Sequence, residues 1–252
     1  MIKIIYRACD IVNSLHGSLD GSANPRPFDL SKKDVIKICL TSLVDCLNTI
    51  DEEYEVHVIG DRVSEETWNF IITNLNPKTS FNSQEALRDS GSLLKCSELV
   101  MQFDDEDFIY FVEDDYLHDK NFFWQKLKDF KSFANQNIKI PWFIHPTDYP
   151  DQYNRLLKRC YIFQTPSGYW REVANTTHTF MCYKKFYKIF VEHFRECHKQ
   201  DGNDGTLSEI FQNGALCFSP LPGIATHMHK GTFSNYIDWE NKIKKIQSLL
   251  GL

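Results

Sequence analysis

Three consecutive carboxylates, Glu113, Asp114 and Asp115 (the acidic triplet), directly follow an apolar run that extends from Phe108 to Val112. The aromatic and β-branched residues of this run favour a strand that is buried on both faces. Because a buried strand tolerates adjacent anions poorly, we place the acids at its carboxyl end, where open α/β sheets bind ligands. Neighbouring carboxylates repel one another unless a cation neutralises them, and hard divalent ions prefer oxygen ligands. The segment therefore predicts a site for Mg²⁺ or Mn²⁺, with an acidic solvated turn as the alternative.

A second group of reactive side chains lies near the end of the chain, where His227 and His229 precede Lys230 in a loop that contains Gly and Pro. Residues two apart on an extended segment point to the same side, so both imidazoles can face one ligand. Lys230 carries a compact positive charge that suits a phosphate group. We therefore expect this loop to bind a metal or a phosphate, and a structural or solvated histidine is the alternative.

Composition limits the classes of protein that this chain can belong to. Its 252 residues fit one large domain or two small ones. The net charge of −6 argues against non-specific binding to nucleic acid or anionic membrane. The eight cysteines form no Cys-x-x-Cys pair, which indicates reduced thiols and not a disulfide framework or a zinc site. With no signal peptide and no apolar stretch of roughly 20 residues, we expect a cytoplasmic protein without a transmembrane segment.

The first half of the chain alternates between strand and helix patterns. Strands are predicted at residues 2–6, 54–59 and 108–112, and helices from the Ser31 capping box onward, at 65–75 and at 83–101. This alternation predicts a mostly parallel sheet wrapped by helices. The polar loop that follows the first strand is long for a compact domain, and such loops are often functional.

The second half is less regular. Short strands are predicted at 142–144 and 177–183, a Pro- and Tyr-rich irregular region at 145–169, and helices at 121–133, 186–194, 207–211 and 236–250. No internal repeat interrupts this order. The regular strand–helix alternation of the first half therefore ends after Asp119.

An N-terminal α/β half, a strand that runs into clustered acids and a late His-containing loop resemble the GT-A fold nucleotide-sugar glycosyltransferases. The resemblance implies a single globular α/β domain with a Rossmann-like, mostly parallel central sheet flanked by helices. It assigns residues 1–120 to the nucleotide-sugar donor, and residues 121–252 to the acceptor and to a C-terminal metal and phosphate loop. The family's DXD motif, which holds Mn²⁺ or Mg²⁺ against the diphosphate, corresponds to the acidic triplet, although the triplet departs from a strict Asp-x-Asp.

The resemblance also implies roles for individual residues. It makes Asp115 and His229 the principal metal ligands, with Glu113 and His227 as further candidates. Glu113 has an alternative role as a hydrogen-bond partner of the ribose or of a metal-bound water. The candidates for contact with the donor nucleotide are Tyr6, Arg7, Ala8, Asp10, Asp61, Arg88, Glu113, Asp114 and Lys230. Tyr6 could instead belong to the core, Asp61 could cap a helix or a turn, and Arg88 could pair with a neighbouring acid.

The implied reaction moves a sugar from a UDP-, GDP- or TDP-sugar to a hydroxyl of a saccharide or glycan acceptor. In an inverting enzyme a carboxylate at the start of a helix accepts the proton of that hydroxyl, and Asp204 matches this position. A turn with a helix cap at Asp204 and Gly205 is the alternative. Glu209 is the second candidate for the base and His178 the third. The clustered aromatic residues between 149 and 170 suit a sugar-binding groove, or a core cluster.

Three other functions remain open at this stage. A retaining glycosyltransferase would have the same fold and no need of the base. A nucleotidyltransferase or phosphohydrolase would also use acids at a strand end, but the chain lacks a Gly-rich phosphate loop. A non-catalytic domain would bind the sugar nucleotide without turnover. The sequence does not specify the oligomeric state.

Overall fold

The structure, a computed structural model, describes residues 1–10, 26–153, 160–200, 204–234 and 236–252. In the first half the elements are β1 (Ile2–Ala8), α1 (Lys32–Leu47), β2 (Tyr54–Asp61), α2 (Glu65–Leu75), β3 (Thr79–Ser83), α3 (Arg88–Val100) and β4 (Phe108–Glu113). Strand β1 pairs in parallel with both β2 and β4, and β2 pairs in parallel with β3. The chain order therefore reverses at β1, and such a reversal opens a ligand-binding crevice at the carboxyl ends of the strands.

The second half extends the same sheet. Its elements are β5 (Tyr116–His118), α4 (Phe123–Asn137), β6 (Trp142–Ile144), β7 (Ile162–Thr165), β8 (Gly168–Val173), β9 (Phe180–Tyr183), α5 (Lys184–Ile189), α6 (Val191–Lys199), α7 (Ser208–Gln212), β10 (Leu216–Leu221), β11 (Ala225–His227) and α8 (Trp239–Leu250). The sheet has the order β3-β2-β1-β4-β9-β6-β10-β8-β7, in which β8 and β9 run opposite to the other strands. This confirms the predicted α/β fold with a mostly parallel central sheet.

Strand β4 is buried on both faces, as its apolar sequence predicts. Phe108, Tyr110 and Val112 pack into one core cluster, and the alternate residues Ile109 and Phe111 pack into a second cluster on the other face. Strands covered on both sides by helices have this continuous apolar character. Its first charged residue, Glu113, therefore marks the point where the strand leaves the core.

A separate two-stranded antiparallel ribbon lies beyond the end of β4. It consists of β5, which follows the acidic triplet, and β11, which comes from the end of the chain. The register of the ribbon pairs Tyr116 with His227. The ribbon thus brings the C-terminal histidine loop to the acidic triplet.

The structure differs from the sequence-based expectations where strands are polar or short. Residues 79–83 form β3, and the helix predicted from residue 83 begins only at Arg88. The region predicted as irregular contains β7 and the first part of β8, and β10 was not predicted. The helix predicted over 186–194 is divided at Phe190 into α5 and α6. Most of the predicted long loop, residues 11–25, lies outside the described residues.

Among the residues that the structure describes, no helix is both long enough and apolar enough to cross a bilayer.

The capping box at the start of α1 generates a prediction about stability. The Ser31 Oγ accepts a hydrogen bond from the backbone N–H of Asp34 at 3.1 Å, and its hydroxyl donates to the Asp34 carboxylate. Ser31→Ala should lower the free energy of unfolding by about 0.5–2 kcal/mol, because a helix donor loses its partner. Urea denaturation measures this effect. Ser31→Thr keeps the acceptor and should lie close to the wild type, and equal stability of the Ala variant would contradict the assignment.

Candidate active site at the carboxyl end of the sheet

Glu113, the first acid of the triplet, is neutralised by an arginine from β1. The Arg7 Nη2 atom donates to the Glu113 carboxylate, and Arg7 Nη1 donates to Asp89 at 2.9 Å and to Ser92 at 3.1 Å. Burial would lower the pKa of Arg7, but the charges of Glu113 and Asp89 outweigh it and raise that pKa above its usual value. Arg7 therefore stays charged and joins β1, β4 and α3 at the crevice.

The second acid, Asp114, is held by the N-terminal half of the chain. Its Oδ2 accepts a hydrogen bond from the backbone N–H of Cys9 at 2.8 Å, and its Oδ1 accepts one from Nζ of Lys32 at 2.6 Å. Burial and the neighbouring charge of Asp115 raise the pKa of Asp114, while Lys32 opposes that rise. Asp114 is therefore directed toward β1 and the start of α1.

The third acid, Asp115, faces the C-terminal loop. Its Oδ1 lies 3.3 Å from the Nε2 atom of His227, and its Oδ2 lies 3.9 Å from Nε2 of His229 and 3.3 Å from Nζ of Lys32. Burial would raise the pKa of Asp115, but Lys32 and His227 outweigh it and hold that pKa well below its usual value. The carboxylate is therefore ionised.

The ribbon fixes the two histidines against Asp115. The ring of His227 stacks on Tyr116 with 4.8 Å between centroids, and His229 stacks on His227 at 3.9 Å. The backbone N–H of Met228, between them, donates to the carbonyl of Asp115 at 2.8 Å. Burial, with the charge of His227, lowers the pKa of His229 to about 4, so this imidazole is neutral near pH 7. For His227 burial acts in the same direction, but Asp115 outweighs it and raises the pKa.

Asp115, His227 and His229 (the metal-ligand group) have the geometry and chemistry to hold a divalent cation. Their ligand atoms all lie within 4.8 Å of one another, and each residue is partly buried. One carboxylate with two imidazoles suits a transition-metal ion better than Mg²⁺, which prefers oxygen ligands. Of the four predicted metal residues, the structure brings these three together, whereas Glu113 faces Arg7.

Two predicted donor residues at the crevice have structural partners. The buried Asp10 accepts the backbone N–H of Ser64 at 2.8 Å, at the start of α2. The Asp61 carboxylate accepts hydrogen bonds from the backbone N–H groups of Leu87 and Arg88, at 3.0 and 2.9 Å. Asp61 therefore caps α3, which was the alternative role that the sequence left open.

The other predicted donor residues lie at the end of β1, at the start of α3 and in the C-terminal loop. Tyr6 and Ala8 are buried in the core at the end of β1. Arg88 begins α3 with a φ of 57°, an uncommon conformation for a residue other than Gly. The Nζ atom of Lys230 lies 3.6 Å from Oδ1 of Asp29. Because both side chains are exposed, this ion pair adds little stability.

A cavity of about 300 Å³ (the Tyr149 cavity) lies close to Tyr116. Its lining includes His145, Tyr149, Asp151, Gln152, residues 173–177 and Ser208. The Tyr116 hydroxyl lies 3.1 Å from the Tyr149 hydroxyl and 2.8 Å from Thr177 Oγ1. Tyr116 therefore contacts two residues of the cavity lining as well as His227.

The candidates for the catalytic base lie in different places. Asp204 begins a 3₁₀ helix, Asp204–Leu207, that leads directly into α7, whose first residue Ser208 lines the Tyr149 cavity. Glu209 instead lines a separate groove against α6. His178 is buried, with its Nε2 3.9 Å from the sulfur of Cys197, and is not part of the cavity lining.

Lys32 is the main residue of this site that sequence reasoning missed. It is the first residue of α1 and lies 82 positions before Asp114. A lysine at the N-terminus of a helix opposes the helix dipole, and this unfavourable placement was the one available signal that Lys32 has an acidic partner.

No protein-family model and no curated protein sequence matches the chain. Among solved structures, S. aureus TarS is similar with a TM-score of 0.50 and 14% identity, over 98% of this chain and 39% of the TarS chain. S. aureus TarS 1-349 in complex with UDP aligns with a TM-score of 0.50 and 15% identity, over 86% of this chain and 59% of that one. A putative glucose-1-phosphate thymidylyltransferase from Bacillus anthracis, in complex with a sucrose, gives a TM-score of 0.52 at 12% identity, over 98% and 96% of the two chains. The protein has the GT-A fold. At these identities the likeness shows the fold alone, and the chain spans less than two thirds of either TarS chain.

The geometry of the metal-ligand group predicts that it binds Mn²⁺. Asp115→Asn, His227→Ala and His229→Ala should each weaken binding by more than about ten-fold, because even substitutions behind a metal ligand cost 10–100-fold. The electron paramagnetic resonance of free Mn²⁺ measures the affinity. His193→Ala, on α6 and outside the group, is the matched control. An affinity that is the same in the wild type and all three variants would contradict the assignment.

Proposed function

We propose that this protein is a Mn²⁺-dependent glycosyltransferase that moves a sugar from a nucleoside diphosphate to a saccharide hydroxyl, with Mg²⁺ as the alternative ion. The observation that carries the proposal is the convergence of Asp115, His227 and His229 at the carboxyl end of β4. This convergence lies beside the strand-order reversal of a GT-A fold, where sugar nucleotides are expected to bind. The complex of the structurally similar TarS with UDP supports a uridine nucleotide as the first donor to test.

The donor crevice lies between the ends of β1, β2 and β4. Arg7 holds Glu113 on one side, where we place the ribose. Asp10 and Asp61 bound the crevice and fix the N-termini of α2 and α3. A bound divalent ion would supply Lewis-acid stabilisation of the leaving diphosphate. Lys230, which directly follows His229 and is exposed, would add positive charge near the same phosphates.

The Tyr149 cavity is the proposed acceptor site. Its volume of about 300 Å³ lies at the lower end of the usual range for small-molecule sites. Hydroxyl and amide groups from Tyr149, Asn175, Thr176 and Thr177 line it, and such groups suit the hydroxyls of a neutral saccharide. Because Tyr116 contacts both His227 and Tyr149, which lines the cavity, an acceptor there would lie near the proposed donor site.

Asp204 is the proposed general base of an inverting transfer. The 3₁₀ helix that it begins leads into Ser208 at the wall of the cavity, which supports a position near the acceptor. Glu209, the second candidate, lines the groove against α6. A retaining transfer, in which this base is not needed, remains the alternative mechanism.

A nucleotidyltransferase is the second candidate function, because the thymidylyltransferase likeness extends over nearly the full length of both chains. The two reactions differ in their substrates and products. A glycosyltransferase consumes a nucleotide sugar and releases a nucleoside diphosphate. A nucleotidyltransferase joins a nucleoside triphosphate to a sugar phosphate and releases pyrophosphate.

The proposal predicts slow, Mn²⁺-dependent hydrolysis of a nucleotide sugar even without an acceptor. UDP-, GDP- and TDP-sugars should be screened first by thermal shift, and the stabilising donor then assayed for release of nucleoside diphosphate. Asp115→Asn should abolish most of this release while the fold stays intact. A non-catalytic domain would bind the donor without release, and pyrophosphate from a triphosphate and a sugar phosphate would favour the second function.

The base assignment predicts that Asp204→Asn lowers the transfer rate by about 10²–10⁴-fold with little change in donor binding. Asp151→Asn, which removes a carboxylate that lines the cavity, is the matched control and should lose far less. The anomeric configuration of the product, determined by NMR, tests the mechanism independently. Retained configuration would remove the role of Asp204, and a normal rate with inverted configuration would transfer it to Glu209.

A further inference from the structure

Lys32 supplies a positive charge to the acidic triplet from the first residue of α1. Its ammonium lies 2.6 Å from Asp114 Oδ1 and 3.3 Å from Asp115 Oδ2, and only 15% of its side chain is exposed. Lys32 is therefore a charged group held between the second and third acids.

The acidic triplet already has counter-charges without any metal ion. Arg7 neutralises Glu113, and Lys32 is shared between Asp114 and Asp115. The arrangement explains how three adjacent acids are stable at the edge of the core, where uncompensated charges are costly.

The ammonium of Lys32 and the proposed metal ion use the same carboxylate. Asp115 Oδ2 faces both Lys32 Nζ, at 3.3 Å, and the Nε2 atom of His229, at 3.9 Å. A divalent ion bound by the metal-ligand group would lie within a few ångströms of a buried positive charge, and the two cations would repel each other. Binding of the ion alone is therefore opposed by Lys32.

A diphosphate changes this balance because it brings negative charge to the same place. A lysine has a compact charge on a flexible four-carbon stem, so its ammonium can move from a carboxylate to a phosphate without any change in the backbone. Once Lys32 contacts phosphate, Asp115 is free to bind the metal more strongly. Each ligand then favours the other, as linkage requires.

We propose, resting on the glycosyltransferase function above, that Lys32 couples metal binding to donor binding by competing with the divalent ion for Asp115 until a nucleoside diphosphate engages it. The protein then binds Mn²⁺ weakly on its own and strongly together with the donor. Lys32 affects the metal ion only through Asp115. It contacts the diphosphate only in the donor complex.

The test measures Mn²⁺ affinity by electron paramagnetic resonance, with and without UDP, in the wild type and in Lys32→Met. Without UDP, Lys32→Met should bind Mn²⁺ about ten-fold more tightly than the wild type, because the competing charge is gone. The factor by which UDP tightens Mn²⁺ binding should fall by about ten-fold, within the usual range of coupling between sites. Lys33→Met, which removes the neighbouring lysine that pairs with Glu66, is the matched control and should behave as the wild type.

Two results would overturn the proposal, and they separate it from the function on which it rests. Unchanged Mn²⁺ affinity and unchanged coupling in Lys32→Met would make Lys32 a structural counter-ion only, while loss of Mn²⁺ binding in Asp115→Asn would leave the function standing. Absence of Mn²⁺ binding in every variant, with or without UDP, would remove both. If Lys32→Met does not fold, Lys32→Gln keeps a hydrogen-bond donor without the charge and should show the same two changes.

Discussion

Neutralisation of three adjacent carboxylates at the end of a buried strand is the constraint on which the rest of this structure depends. Charges at the edge of a core are stable only when partners compensate them. Each acid of the triplet receives a partner from a different part of the chain: Arg7 from β1, Lys32 from α1, and His227 with His229 from the C-terminal loop. The same electrostatic requirement thus unites segments that are far apart in sequence and gathers them around one point.

This arrangement also connects the two halves of the proposed reaction. In the ribbon of β5 and β11, Tyr116, which directly follows Asp115, pairs with His227. Tyr116 also contacts Tyr149 and Thr177, two residues that line the Tyr149 cavity. A donor held by the metal-ligand group and an acceptor in the cavity would therefore both lie close to Tyr116.

Local sequence patterns were enough to predict the parts of the fold whose causes are local. The apolar run of β4 and the Ser31 capping box both depend on neighbouring residues, and the structure contains both. Strand β3 was missed because its exposed polar residues show no apolar alternation and the strand exists only by pairing with β2. Lys32 was missed for the same reason, since its partner lies 82 residues away. The pairing of the two histidines with Asp115 was suggested by the family resemblance, and the register of the ribbon gives it a physical basis.

The most direct test of the proposed active site is to locate the bound metal ion and the bound diphosphate. Crystals of the protein grown with Mn²⁺ and UDP, measured at a wavelength near the manganese absorption edge, would locate the ion by its anomalous scattering. We expect one strong peak within bonding distance of Asp115, His227 and His229, with the diphosphate on the opposite side of the ion and Lys32 in contact with a phosphate. A peak elsewhere, or UDP bound away from the ends of β1 and β4, would contradict the account.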